Sequence, residues 1–229
     1  IIAQKYTARQ LISYAGNIET KAFDESIDVD SLMQEAEGLL FELSQKNMKQ
    51  DYTQVDPVIK QAMDLLNKAA GNEGGLTGVP TGFTKLDEIT AGWQPSDLII
   101  IAGRPAMGKT SFALSLAKNI VVDFGLPTAF FSLEMNNVQL VNRLISNICE
   151  VSGSKLLSGQ LAPDDWERID KNVRKLTGTP LYVDDTPGLS IFELRTKARR
   201  LARENDIKII MIDYLQLMNA NGMRFGSRQ

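Results

Sequence analysis

A glycine-bounded loop between an apolar run and an amphipathic helix limits what this chain can fold into more than any other stretch. The β-branched, apolar residues Leu98 to Ala102 predict a strand buried on both faces of a parallel sheet. Directly after it comes GRPAMGKT, which has the G-x-x-x-x-G-K-[ST] spacing of a Walker A loop. A helix is predicted next, and its apolar face is formed by Phe112, Leu114, Leu116, Ala117, Ile120 and Val121.

The residue types in this loop suit an anionic ligand. Gly103 and Gly108 let the backbone turn so that N–H groups and the helix N-terminus point at a phosphate. Lys109 supplies a mobile positive charge, and Thr110 offers a hydroxyl to Mg²⁺ while capping the helix start. The alternative is an ordinary glycine-containing turn with an incidental Lys-Thr pair. The predicted nucleotide-binding residues are Gly103, Arg104, Pro105, Ala106, Met107, Gly108, Lys109, Thr110 and Ser111.

Composition excludes several classes of site. The chain has no histidine, which rules out histidine zinc sites and Ser-His or Cys-His nucleophiles. Its one cysteine, Cys149, lies in an apolar run and is predicted to fill the core. A net charge of −3 gives no global indication of nucleic-acid binding. Without a signal peptide or long apolar run we expect a cytoplasmic protein, and the start at Ile-Ile-Ala predicts a piece of a longer one.

The first third of the chain is predicted to be helical. Residues 1–47 predict a hairpin of two helices that breaks near Phe23, with a packing or interaction role. Residues 48–75 predict a linker with an amphipathic helix that starts at Asp56-Pro57. That helix could pack on its own domain or dock on a neighbouring subunit. Residues 76–229 are predicted to form the nucleotide-binding domain.

Two later strands end in candidate catalytic acids. Thr128–Ser132 predicts a strand, and Glu134 follows it at the edge where open α/β sheets bind ligands. Glu134 is therefore either the general base for the water that attacks the γ-phosphate or a helix N-terminal acid. Residues 208–213 predict a strand of Walker B form, in which Asp213 holds Mg²⁺ through a water.

Other local patterns predict caps and turns. Thr84 with Asp87 resembles a helix cap, and Ser190 with Glu193 forms a capping box before a helix with a basic face. Helices are also predicted over 139–149 and 162–176, and a strand over 180–183. Asp184-Asp185 is predicted as a turn, the alternative being an acidic pair that supports the phosphate site.

The alternation of strands and helices predicts a parallel, helix-flanked sheet. Its motifs, TGFTKLDEITAGWQPSDLIIIAGRPAMGKTSFALSLA, FFSLEM, LYVDDTPGLSIFELRTKARRLA and IIMIDYLQLM, closely resemble those of bacterial replicative DNA helicases of the DnaB type. The resemblance implies a RecA-like P-loop core preceded by a helical hairpin and a linker helix that docks on the adjacent subunit. It also implies an ATP- and Mg²⁺-dependent homo-hexamer that encircles single-stranded DNA, unwinds the replication fork, and has a primase and a helicase loader as partners.

The same resemblance assigns roles to individual residues. Lys109 and Thr110 become phosphate and Mg²⁺ ligands, Glu134 the catalytic base and Asp213 the Walker B acid. The family's γ-phosphate sensor, arginine finger and DNA-gripping loops follow the segment matched here. Nucleotide binding without turnover is therefore an expected outcome for this chain alone. The alternatives are a RecA-like recombination or repair ATPase and a non-catalytic oligomerisation and partner-binding module.

Overall fold

The computed structural model describes residues 2–24, 26–46, 55–70 and 76–219. Much of the predicted linker, at 47–54 and 71–75, lies outside these described residues, as do residues 220–229. The helices are α1 (Ile2–Ala22), α2 (Val29–Lys46), α3 (Val55–Ala70), α4 (Thr84–Thr90), α5 (Lys109–Lys118), α6 (Asn137–Cys149), α7 (Gly153–Ser158), α8 (Pro163–Val173) and α9 (Ile191–Asn205). The strands are β1 (Thr128–Ser132), β2 (Leu181–Asp184) and β3 (Ile209–Asp213).

The three strands form one parallel sheet in the order β2-β1-β3. All five residues of the central strand, β1, are buried, because helices cover both of its faces. On one face Phe130 packs with α5 and α6 through Leu114 and Leu140. On the other face Phe131 packs with Leu194 of α9. The predicted α/β architecture with a mostly parallel, helix-flanked sheet is confirmed.

The predicted strand before the glycine-bounded loop is wrong. Residues 98–102 have no strand assignment, and the side chains of Leu98 and Ile100 are 84% and 72% exposed. Both edges of β1 are occupied by β2 and β3, and no strand within the described ranges pairs with this segment. An apolar run cannot become a buried strand without a neighbour to receive its backbone hydrogen bonds.

The N-terminal helices form the predicted hairpin. Lys21 of α1 forms an ion pair with Glu35 of α2, and the hydroxyl of Tyr14 donates to the carbonyl of Ala36. The helix predicted from Asp56 is present as α3. The division of the chain into three domains at 47 and 75 stays a prediction.

The segment before the loop is fixed differently from its prediction. Thr84 does not cap α4, whose N-cap is Phe83 without a side-chain bond. The Asp87 carboxylate instead accepts from the backbone N–H of Thr81 at 2.8 Å and of Gly82 at 3.0 Å. Asn119, just after α5, donates to the carbonyl of Thr81 at 3.1 Å. These bonds attach the segment to the end of the helix that the glycine-bounded loop opens.

The helix predicted over 162–176 is shorter than expected and ends at Val173. Its predicted start is confirmed, because the Asp165 carboxylate accepts from the backbone N–H of Ala162 at 3.1 Å. Lys155 of α7, a helix that the sequence analysis did not predict, and Arg168 lie 2.7 and 2.6 Å from the same carboxylate. Hydrogen bonds from Lys155 and Ala162 hold the pKa of Asp165 below its usual value despite burial.

An ion pair fixes the end of β2 to α9. The ammonium of Lys197 lies 2.7 Å from the Asp184 carboxylate and 2.6 Å from the Thr186 hydroxyl. The backbone N–H of Thr186 donates to the same carboxylate at 2.9 Å. Burial acts to raise the pKa of Asp184, but the bonds from Lys197 and Thr186 outweigh it and lower this pKa below the usual aspartate value.

We expect truncation of Leu140 to destabilise the core. Leu140 is fully buried and packs with α5 and β1, so Leu140→Ala should lower the free energy of unfolding by about 2–5 kcal/mol. Leu157 is 79% exposed, and Leu157→Ala should change it by less than about 0.5 kcal/mol. Urea unfolding of both variants measures the difference, and equal losses would contradict this assignment of the core.

We expect Lys197→Met to destabilise the fold in a pH-dependent way. The Asp184 pKa is lowered in the folded protein, so its contribution is present above the unfolded pKa of about 4 and disappears as the pH falls through the folded value. The loss should be on the order of 1 kcal/mol at about pH 7 and should shrink on acidification. Urea unfolding against pH measures it. Lys171→Met, at an exposed lysine of α8, is the control, and a loss independent of pH would contradict the ion pair.

Candidate functional site

The glycine-bounded loop leaves the start of α5 open to an anion. Gly108 is the N-cap of α5 and has φ 85°, a conformation that glycine adopts without the strain of a side chain. Thr110 was predicted to cap this helix but lies inside its first turn, and no side chain caps α5. The N–H groups of a first helical turn have no intrahelical partner. Residues 103–108 are exposed, so these N–H groups and the positive end of the helix dipole can meet phosphate oxygens.

Lys109 lies over this loop and close to the end of β3. Its ammonium donates to the carbonyl of Gly103 at 3.0 Å, which closes the loop on itself. The same nitrogen is 5.9 Å from the centre of the Tyr214 ring, the residue after Asp213. The structure therefore brings the predicted phosphate loop beside the predicted Walker B strand.

The two candidate acids lie on neighbouring strands. Ser132 and Asp213 are register partners in the parallel β1–β3 ladder, and the N–H of Leu133 donates to the carbonyl of Asp213 at 2.8 Å. Asp213 is 7% exposed at the end of β3. Glu134, two residues after β1, is exposed, and no hydrogen bond to its carboxylate is found in the described part of the chain.

The donor set fits a nucleotide phosphate with Mg²⁺. The open helix start and Lys109 supply donors for phosphate oxygens, and Thr110 and Asp213 supply the oxygen atoms that Mg²⁺ prefers. Among the described residues no group of three or more acidic or cysteine side chains could hold a metal ion. That is compatible with Mg²⁺, which usually binds one or two protein oxygens together with phosphates and waters.

Sequence reasoning missed how the segment carrying Glu134 is held. The Ser132 hydroxyl donates to the carbonyl of Met135 at 2.7 Å, and the carboxylate of Asp185 accepts two hydrogen bonds from Asn137. Asp184-Asp185 was predicted mainly as a turn, and its position at a strand end was the available signal. Nothing in the sequence indicated that its partner would be Asn137, 48 residues earlier.

Within the described residues no helix is long and apolar enough to span a membrane.

Comparison with known proteins agrees with this architecture. The chain is 37% identical to the "Replicative DNA helicase DnaC" of Bacillus subtilis (strain 168) over 229 residues, which is 100% of this chain and 50% of that protein. It is 36% identical to the "Replicative DNA helicase DnaB" of Geobacillus stearothermophilus, with the same coverage. The chain thus spans about half the length of the curated relatives it matches.

Two solved structures share the fold. One, the structure of an isolated ATPase domain, matches with a TM-score of 0.67 and 32% identity over 74% of this chain and 60% of that chain. Another, titled "The Structure Of A DnaB-Like Replicative Helicase And Its Interactions With Primase", matches with a TM-score of 0.65 and 30% identity, covering 95% of this chain and 51% of that chain. The family model described as "DnaB-like helicase C terminal domain" matches residues 78–229, which contain the loop and all three strands. This chain therefore belongs to the DnaB-like helicase C-terminal domain family.

Proposed function

We propose that this chain is part of the ATP-driven motor of a replicative DNA helicase, which unwinds duplex DNA at the replication fork. The observation that carries the proposal is the uncapped start of α5, with Gly108 in the left-handed conformation and Lys109 beside the end of β3. This arrangement combines a phosphate-binding helix start with a buried acid on a nearby strand. Membership of the DnaB-like family supports helicase chemistry over other uses of a phosphate loop.

In this proposal the loop and the end of β3 hold Mg²⁺-ATP. Backbone N–H groups from Gly103 to Gly108 bind the β-phosphate, and Lys109 binds the β and γ oxygens. The Thr110 hydroxyl binds Mg²⁺ directly, and Asp213 binds it through a water. Bound Mg²⁺ neutralises charge that develops on the phosphates during transfer.

Glu134 is proposed as the general base. It follows β1, so it lies at the same sheet edge as Asp213, and its exposed carboxylate can accept a proton from a water. Within the described ranges no protein group donates to that carboxylate, so its oxygens are available to a water. Proton removal from the water as it attacks the γ-phosphate is typically worth about 10²–10⁴-fold in rate.

An exposed apolar stripe on α3 supports assembly with other copies of the chain. Val58, Ile59, Met63 and Leu66 are 44–61% exposed along this helix. An apolar helix face with this exposure is stabilised by docking on another surface. We therefore propose the linker-helix role for α3 in a homo-hexamer around single-stranded DNA. A primase, which a related helicase's title names, and a helicase loader complete the proposed partners of a cytoplasmic protein.

Magnesium-dependent ATP binding and hydrolysis test this function. Lys109→Ala should weaken ATP binding at least tenfold, because a charge-assisted contact to phosphate is lost. Glu134→Gln should leave binding within about twofold and reduce hydrolysis at least 100-fold. Lys171→Ala, at an exposed lysine of α8, is the control and should change neither. Each variant is measured in this chain and in the chain extended to the length of its relatives.

Binding through Lys109, with hydrolysis in the extended protein, would support the proposal. Failure of both forms to bind ATP would overturn the phosphate-loop assignment and favour an interaction module. Hydrolysis that survives Glu134→Gln would overturn the base assignment alone.

A further inference from the structure

The loop that carries Glu134 is held by its backbone. The N–H of Leu133 donates to Asp213, and the hydroxyl of Ser132 donates to the carbonyl of Met135 at 2.7 Å and accepts from its N–H at 3.3 Å. The Glu134 side chain is exposed and receives no protein hydrogen bond within the described residues. The position of its carboxylate therefore depends on how firmly the backbone on both sides is fixed.

After Glu134 the chain enters α6, and two side chains satisfy its first N–H groups. The Asn136 side chain accepts from the N–H of Gln139 at 2.9 Å in a capping box. The Asp185 carboxylate accepts from the N–H of Asn137 at 2.9 Å and from its side-chain amide at 3.0 Å. The first N–H groups of a helix have no acceptor within the helix, and a negative charge there is also favoured by the dipole.

Asp185 reaches this point because of the sheet. Phe131 is the register partner of Asp184, so Asp185 comes one residue after the β1–β2 ladder and beside the start of the Glu134 loop. The ion pair between Asp184 and Lys197 fixes the turn from which Asp185 projects. Asp185 thus holds the far side of the loop, while Asp213 holds the near side through its carbonyl.

We infer that Asp185 is a positioning residue for Glu134, because its two hydrogen bonds to Asn137 fix the start of α6 and thereby the loop that presents the base. The inference rests on the proposed function, in which Glu134 is the general base. Asp185 does not contact the nucleotide in this account. Its removal therefore affects the rate of hydrolysis and not the affinity for ATP.

Hydrolysis at saturating ATP and ATP affinity are measured for Asp185→Ala in the chain extended to the length of its relatives. We expect hydrolysis to fall about 10–100-fold, since a displacement of about 1 Å in a catalytic group can have that effect. The ATP dissociation constant should stay within about twofold. Asp185→Asn should retain most activity, because the Asn137 amide can turn to pair with the new amide. Asp164→Ala, at an exposed aspartate of α8, is the control and should match the unchanged protein.

Two further measurements separate positioning from general damage. In a Glu134→Gln background, Asp185→Ala should cause no further loss, because it acts through the missing base. Hydrogen exchange of this chain should show faster exchange of the Asn137 amide in Asp185→Ala, with the amides of β1 unchanged. Unchanged exchange at Asn137, or weakened ATP binding, would overturn the inference.

The outcomes also distinguish this inference from the function on which it rests. An inactive Glu134→Gln protein beside a fully active Asp185→Ala protein would overturn the positioning role and leave the proposed function standing. Full activity of Glu134→Gln would overturn the base assignment and the positioning role with it.

Discussion

The parallel ladder of β1 with β2 and β3 is the constraint on which the rest of this structure depends. Because all three strands run in one direction, their carboxyl ends meet at one edge of the sheet. Each end carries an acid, at Glu134, Asp185 and Asp213, and Lys109 at the start of α5 lies close to the last of them. Burial of β1 on both faces fixes this edge, since any shift of the ladder would expose Phe130 or Phe131 to water.

The three acids at this edge are in different environments. Asp213 is buried, Glu134 is exposed, and Asp185 is engaged with the first turn of α6. Neighbouring Asp184 is neutralised by Lys197, which keeps one more negative charge from acting on the site. Similar residues at similar positions thus obtain separate tasks from their hydrogen-bond partners and not from their chemistry.

Local patterns predicted the local parts of this fold. The Ser190 capping box, the strand at 209–213 and the buried face of α5 all depend on residues within a few positions of one another, and all are confirmed. The run at 98–102 has strand composition, yet pairing requires a neighbour that composition does not specify. Thr84 and Asp87 have cap spacing, but Asp87 bonds instead to Thr81 and Gly82, which tertiary packing brings near. The contact between Asp185 and Asn137 depends on sheet order, which no short pattern contains.

The unpaired run at 98–102 also bears on how the molecule behaves in solution. Its isoleucines and leucine are exposed, and β3 has no neighbour on its outer edge among the described residues. An apolar segment with free backbone groups and an open sheet edge are each templates for adding another strand. Handling this chain at high concentration therefore favours edge-to-edge aggregation, and a segment that covers this edge would act as a solubilising element as well as a structural one.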